Sequence, residues 1–514
     1  MQLTQSVHRN AQQDAAGPAT IFGDRVRTWA ESLDRIARLA AGLRALGLRP
    51  GDRLAILSLN SDRYHECLLA TWWAGGAVNP VNIRWSPAEI AYSLEDSGSA
   101  ILVVDDHFSE TVASIRAAAP SIATIVHCGE DPTPEGCIAY ESLLEEGPID
   151  DARRGGDDLA GIFYTGGTTG FPKGVMLSHT NIMTSTLGSC ASGHFFIPGG
   201  RAMHAAPMFH LAGLAAWMAR NILGGSHIIV PMFSPEAVLD TIETHRPTDA
   251  LLVPTMIQML VDSPSIEGRD LSSLETVLYG ASPISDALLL RFQAAVPGAA
   301  LTQAYGMTEL GPVATLLGAA AHADPILRRS AGKAAPHAEV RIVDPDCVEV
   351  PRGSVGEVVV AGPHVMLGYW NKPSETAAAI IDGWMHTGDG GRMDDDGYVF
   401  IVDRIKDMIV TGGENVYSAE VENAVAQHPA VATCAVIGVP SPEWGEAVHA
   451  VVVLRPDAAL DLDDLRTHVK GLIAGYKAPR SLEIVDALPL SGAGKVLKHE
   501  LRKQYWDGSS RSVN

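Results

Sequence analysis

The chain has 514 residues, 60 acidic against 38 basic for a net charge of −22, with 46% hydrophobic and 19% charged residues. Such a length asks for more than one hydrophobic core, and the composition excludes a disordered chain. The acidic excess excludes nucleic acid as a partner, because a phosphate backbone needs a basic footprint.

Taken in chain order, the first half alternates helical and strand patterns. Thr28 and Glu31 have capping-box spacing ahead of Ile36, Leu39, Leu43 and Leu46, which recur at helical intervals. Gly51 and Asp52 break that helix, and Leu54 to Leu57 reads as a buried strand. Ser86 with Glu89 marks a second helix start, with Pro87 at its first position, and Ile101 to Val104 is the next strand. This alternation predicts α/β layers around largely parallel sheets. Between 339 and 402, short β-rich runs such as Glu357 to Ala361 are separated by turn residues, as in a small barrel. Helix and strand alternate again over Ala419 to Gln427 and Val431 to Val439. The expected fold is a large multi-layer domain over 1–403, a hinge at 404–407, and a smaller α+β domain over 408–514. From Arg404 onward, 12 basic residues meet 14 acidic ones, so the last fifth is nearly neutral and repels a polyanionic ligand less.

Cys67, Cys128, Cys137, Cys190, Cys347 and Cys434 show no CxxC spacing, which argues against a zinc site and a disulfide framework. The opening MQLTQSVHRN lacks the apolar stretch of a signal peptide, and the run from Cys67 to Val78 is shorter than the ~20 residues that span a bilayer. A cytoplasmic location without a membrane span is therefore expected.

The sharpest local signal is the loop Tyr164-Thr-Gly-Gly-Thr-Thr-Gly-Phe-Pro-Lys-Gly174. Thr165, Gly166, Gly167, Thr168, Thr169 and Gly170 offer backbone N–H groups and hydroxyls with little Cβ bulk, and Lys173 adds a point charge. That combination suits phosphate oxygens. It is not a Walker loop, since no GxxxxGK[ST] occurs, and GxSxG and GxGxxG are absent too.

The loop resembles the phosphate-binding signature of the adenylate-forming superfamily, which contains acyl-CoA synthetases, firefly luciferases and peptide-synthetase adenylation domains. Gly167 stands where serine is more common. Further blocks match in the family's order: Pro207 to Gly213, Gly280 to Pro283, Gln303 to Glu309, Gly383 to Asp389, Asp403 to Ile409, Gly412 to Tyr417, and Leu490 to Val496. The resemblance implies an acid:CoA ligase that uses ATP and Mg²⁺ to form an acyl-adenylate and then passes the acyl group to coenzyme A. It implies that Lys495 bridges the incoming carboxylate and the α-phosphate, stabilising charge that builds in the transition state. Glu309 would hold Mg²⁺, with Thr168 and Thr308 as hydroxyl partners. Asp389 can accept both ribose hydroxyls and Arg404 can donate to the same sugar. Tyr305 offers a face to adenine, with Gln303, Ala304, Gly280, Ala281 and Ser282 along its edges.

His210, after Phe209, resembles the residue that gates the acyl pocket. By position, Leu211, Leu214, Trp217, Gly280, Ala281, Gly306, Met307, Pro312, Val313 and Ala314 are the expected lining. These are small or apolar, without an arginine for a second carboxylate or an acid for an ammonium, so a fatty, aryl or alicyclic acid is expected. Lys406 is the expected hinge residue, and Gly412, Gly413 and Trp444 the expected coenzyme A contacts, although Thr411 and Gly412 depart from the lysine or serine common there. An acyl-AMP ligase that loads a carrier protein, or a non-catalytic adenylate-binding protein, remains open at this point.

Overall fold

The computed structural model describes residues 1–165, 172–491 and 494–506, without the side chain of Lys406. Two large sheets form the body. A nine-stranded sheet runs, from one edge, Lys333–Ala334, Thr315–Leu317, Ala300–Tyr305, Thr276–Gly280, Asp249–Leu251, Arg201–His204, Ser226–Ile229, Pro18–Phe22 and Arg25–Thr28. Its centre is parallel, and antiparallel strands close both edges. The eight-stranded sheet has a parallel centre around Arg53–Leu57, Ala77–Pro80 and Ile101–Val104 and antiparallel strands at one edge only. Strands buried on both faces read as continuous apolar runs, which is why Leu54 to Leu57 and Ile101 to Val104 carry no polar alternation.

The helix starts follow the capping chemistry. Thr28 accepts from the Glu31 N–H, and Glu31 reaches back to Thr28, opening Trp29–Ala45; Ser86 and Glu89 do the same for Pro87–Ser97. The main apolar core lies between the two sheets, with Trp29, Trp72 and Trp217 fully buried among leucines and isoleucines. Residues 339–404 form a five-stranded antiparallel sheet at the side of this body, as the β-rich run predicted.

The last sheet gathers Ile409–Thr411, Glu414–Val416, Val431–Ser441, Gly445–Leu454 and Ser481–Ile484, with its own core of Val421, Val436, Val448 and Leu465. The hairpin Val431–Ser441 with Gly445–Leu454 is its backbone ladder. One loop of this unit, around Ser491 to Val496, leaves its sheet and reaches the large body, where the Arg84 guanidinium donates to the Ser491 carbonyl at 3.4 Å. Gly494 makes that approach feasible. Its φ is +75°, and a β-carbon there would lie 2.6 Å from Thr255 Oγ1.

Candidate active site

The site sits where parallel strands end. Gly280 closes Thr276–Gly280 and stands opposite Ala304 in register, one residue before Tyr305 closes Ala300–Tyr305. The carboxyl edge of such a sheet is where open α/β folds bind ligands. Gly280 is required by space, since a β-carbon would meet the Ala304 carbonyl at 2.1 Å. Ala281 follows with φ +67°, a conformation that its Cβ disfavours, beside half-buried Ser282.

Asp389 and Arg404 are direct cross-strand partners in the small antiparallel sheet, so the ladder sets them side by side. Arg404 Nε lies 3.3 Å from Asp389 Oδ1, and the Tyr305 hydroxyl donates to Oδ2 at 2.7 Å. Burial first, and the Asp389 charge next, push the Tyr305 phenol far up, so it remains a donor. Two domains of sheet thus converge on one carboxylate.

Glu309, on the short turn Thr308–Leu310, is almost fully buried and accepts from the Tyr369 hydroxyl at 2.9 Å. Burial raises its pKa, opposed by its own backbone N–H, by Tyr369 and by the charges of Arg404 and Lys495. Tyr369 is delivered by Gly368–Tyr369, which pairs with Lys173–Ser178. The same ring lies under Lys173, whose Nζ is 5.0 Å from its centroid. Lys173 stands opposite Thr165 across the hairpin that carries the glycine-threonine loop. Gly166, Gly167, Thr168, Thr169 and Gly170 lie outside the described residues.

Lys495 arrives from the small unit on a loop stapled by Ser491, whose N–H donates to the Lys495 carbonyl at 2.7 Å and whose Oγ accepts the Lys495 N–H at 3.1 Å. Among the described residues, no hydrogen bond or ion pair reaches Lys495 Nζ. Burial and the neighbouring Arg404 charge lower its pKa, while Asp389 and Glu309 act the other way. Nearby Lys498 is different: it is tied to Glu422 Oε1 at 2.7 Å, a structural pair within the small unit.

His210 caps Leu211–Leu223, its Nδ1 accepting the Ala212 N–H at 3.3 Å. Burial, and then the Lys495 charge, lower its pKa to about 4, so the ring is neutral with its proton on Nε2. Gly306 is pressed against the Pro312 carbonyl, 2.0 Å from where its β-carbon would be, and the Ala314 N–H donates to the Tyr305 carbonyl at 2.8 Å. Met307 is half-buried beside them.

Trp217 does not join this wall. Its Nε1 donates to His65 Nδ1 at 2.9 Å, and it packs with Trp72 in the main core alongside Leu211 and Leu214. The helical period turns Ala216 instead toward Val313, Leu278 and Ala304. Gly412 and Gly413 are exposed on the small unit, and the Gly412 N–H donates to the Trp444 carbonyl at 2.8 Å. Arg480 stacks 4.2 Å over the Trp444 ring. The structure therefore engages the Lys495 loop while leaving the Gly412 loop open to solvent.

Comparison with known proteins bears directly on this arrangement. The AMP-binding enzyme family matches residues 7–370, and the AMP-binding enzyme C-terminal domain matches residues 420–495. The chain belongs to the AMP-binding enzyme family. It is an AMP-forming ligase of the acyl-CoA synthetase branch. It is 41% identical over 498 residues to the feruloyl-CoA synthase of an Amycolatopsis species, covering 97% of this chain and 98% of that one. It is 38% identical over 518 residues to a fatty acid–[acyl-carrier-protein] ligase of Streptomyces coeruleorubidus, covering 100% and 98%. Its fold is similar to the crystal structure of an anthranilate CoA ligase in complex with anthranoyl-AMP, with a TM-score of 0.92 at 26% identity over 99% and 98% of the two chains. ATP binding is a property of this family, and Tyr305, Asp389, Glu309 and Lys495 lie close enough to act on one another.

Among the described residues, Tyr369 is a site neighbour that the sequence reading missed, since a lone tyrosine 60 positions from Glu309 carries no spacing signal. No helix among the described residues is long and apolar enough to cross a membrane.

Proposed function

We propose that this protein is a Mg²⁺- and ATP-dependent acid:CoA ligase for an apolar carboxylic acid, with an aryl acid the best fit. The observation that carries the reading is the free ammonium of Lys495, brought by a loop of the small unit to a place where Glu309, Asp389 and Arg404 all act on it.

A carboxylate attacking the α-phosphorus of ATP meets like charge. Lys495 Nζ, with no partner among the described residues, is available to both anions as they approach, and its stabilisation grows as charge moves to the bridging oxygen. Asp389, steadied by Tyr305 and Arg404, accepts the ribose hydroxyls. Neutral His210 borders the acyl carboxyl and repels neither partner.

For Mg²⁺, the donor set is sparse. Glu309 is a buried carboxylate with one hydroxyl donor, and no group of three metal-ligating side chains exists among the described residues. That fits an ion held mainly by triphosphate oxygens and water, with Glu309 and Thr308 at its edge and Thr168 expected to join them. Such an ion would neutralise phosphate charge during displacement of pyrophosphate.

Thioester formation needs different groups at the same carbon. Rotation of the small unit about Lys406 withdraws Lys495 and brings Gly412 and Gly413 to face the coenzyme A thiol, with Trp444 beside them. The aryl preference is supported by the small wall of Gly280, Gly306 and Ala216 and by the relatives named for feruloyl and anthranilate acids. A carrier-protein pantetheine in place of coenzyme A is the second reading, favoured by the 38% identical Streptomyces coeruleorubidus ligase. A cytoplasmic location belongs to the same proposal.

The test is AMP release with fatty, cinnamic, benzoic and alicyclic acids, with and without coenzyme A. Acid-dependent AMP release that coenzyme A accelerates supports the proposal. Turnover only when a carrier protein is supplied would move it to the second reading.

A further inference from the structure

The helix Ser418–Val425 follows the hinge in the small unit, and no local side chain caps it. Its N-cap residue, Tyr417, makes no side-chain bond to the first turn. The first N–H groups of a helix have no partner inside it, and a buried one needs an acceptor from elsewhere. For Ser418 that acceptor lies on the other side of the hinge. Its N–H donates to Asp403 Oδ2 at 2.5 Å, with both residues buried. A carboxylate at a helix N-terminus also meets the positive end of the helix dipole, so the contact is charge-assisted.

Asp403 cannot follow the small unit. It lies on Val399–Arg404, opposite Gly390 in the ladder with Trp384–Met393 and next to the Asp389–Arg404 pair. Its Oδ1 accepts the Arg404 N–H at 2.8 Å, within the same strand. The proposed pivot, Lys406, falls between the two partners in sequence. Rotation about it carries Ser418 away while the ladder holds Asp403 in place, and the bond breaks. The pair of Arg502 Nη1 with Asp407 Oδ1 at 2.6 Å is different, because both its members lie beyond the pivot and travel together.

The same junction reaches Lys495. Lys498 Nζ donates to Ser418 Oγ at 2.5 Å and pairs with Glu422 Oε1 at 2.7 Å. Burial lowers the pKa of Lys498, but the opposing charges of Glu422 and Asp403 hold it above the usual lysine value. Lys498 opens the terminal helix Lys498–Trp506, directly after the loop that carries Lys495. A chain of contacts thus runs from a strand of the large body through Ser418 and Lys498 to the free ammonium in the site.

We propose that Asp403 is a positioning residue for adenylation, a latch across the pivot that holds the Lys495 loop in the site and lets go for thioester formation. This rests on the acid:CoA ligase reading and its rotation about Lys406. The bond exists in one of the two postures only, so its strength weights the equilibrium between them toward adenylation.

Two variants and a control test it. Asp403→Ala removes the acceptor, while Asp403→Asn keeps the shape and one acceptor oxygen but removes the charge. Arg502→Gln breaks a charge pair that lies wholly beyond the pivot. Each is assayed for acid-dependent pyrophosphate exchange into ATP and for thioester formation from supplied acyl-adenylate and coenzyme A. The ratio of the first rate to the second should fall roughly ten- to hundredfold in Asp403→Ala and by less in Asp403→Asn. In Arg502→Gln it should stay within about twofold of the unmodified enzyme. Posture is read separately by joining Arg84→Cys to Ser491→Cys with a short bismaleimide, since Arg84 donates to the Ser491 carbonyl across the two units. Adding Asp403→Ala to that pair should slow the crosslink. An unchanged ratio in both Asp403 variants, a ratio moved as far by Arg502→Gln, or a crosslink equally fast without the Asp403 carboxylate would overturn the latch and leave the ligase reading intact. Absence of pyrophosphate exchange by the unmodified enzyme with every acid would overturn the ligase reading, and the adenylation role of Asp403 with it.

Discussion

Lys495→Ala is the perturbation that bears most directly on the site. The ammonium is half-buried, and no hydrogen bond or ion pair from the described residues holds it. Burial lowers its pKa, so the folded protein works against its charge rather than relying on it for stability. The substitution should therefore cost little in folding. Its kinetic cost follows from losing one charge-assisted contact made mainly in the transition state, worth about 3–4 kcal/mol, or roughly 10²–10³ in rate. Acid-dependent exchange of labelled pyrophosphate into ATP measures the first half-reaction. Thioester formation from supplied acyl-adenylate and coenzyme A measures the second. Exchange should fall by that factor while thioester formation stays within about threefold of the unmodified enzyme. Equal losses in both steps would refute the assignment of Lys495 to adenylation.

Asp389→Asn keeps the shape of the side chain but removes the charge that Arg404 and the Tyr305 hydroxyl face. The KM for ATP should rise by roughly ten- to hundredfold, with acid KM little changed; an unaltered ATP KM would count against the ribose role. Tyr369→Phe deletes the hydroxyl on Glu309 and leaves the ring under Lys173. Half-saturating Mg²⁺ should rise about tenfold, as for other groups that orient a metal-facing carboxylate, and no change would detach Glu309 from the ion. Acid sensitivity has a worked sign. His65 and His204 are fully or almost fully buried, with pKa values lowered to about 3 by burial, and His210 to about 4. Each folded value lies below the unfolded one, so stability is complete above about pH 6.5 and falls as pH drops toward 4. The slope is about 1.4 kcal/mol per pH unit for each such histidine. Urea unfolding at pH 7, 6 and 5 should show that decline; a flat midpoint over this range would contradict the burial of neutral imidazoles.

The architecture was largely legible because its signals are local. Capping pairs Thr28 with Glu31 and Ser86 with Glu89 sit three residues apart, and the structure contains both boxes. The β-rich segment after Glu339 and the strand starting at Val431 announced themselves through apolar runs between turn residues, while the pairing of that strand into a hairpin did not. The gathering of Tyr305, Asp389, Glu309 and Lys495 followed from ordered blocks rather than from periodicity. What escaped were contacts made across sheets. Tyr369 reaches Glu309 only because Gly368–Tyr369 adds to the edge of a strand that starts at Lys173. Ala216 faces Val313 and Trp217 does not, a difference of one helical position that composition cannot resolve. His337 and His364 meet edge to face, with the helix residue Gly188, far from either in sequence, packed against His337, where no spacing rule applies.

Pyrophosphate exchange in the absence of coenzyme A is the most direct measurement. With Mg²⁺, ATP and a panel of aryl and fatty acids, label should enter ATP only when a competent acid is present. Persistent absence of exchange across the whole panel, from folded protein that still binds ATP, would contradict adenylate formation at this site.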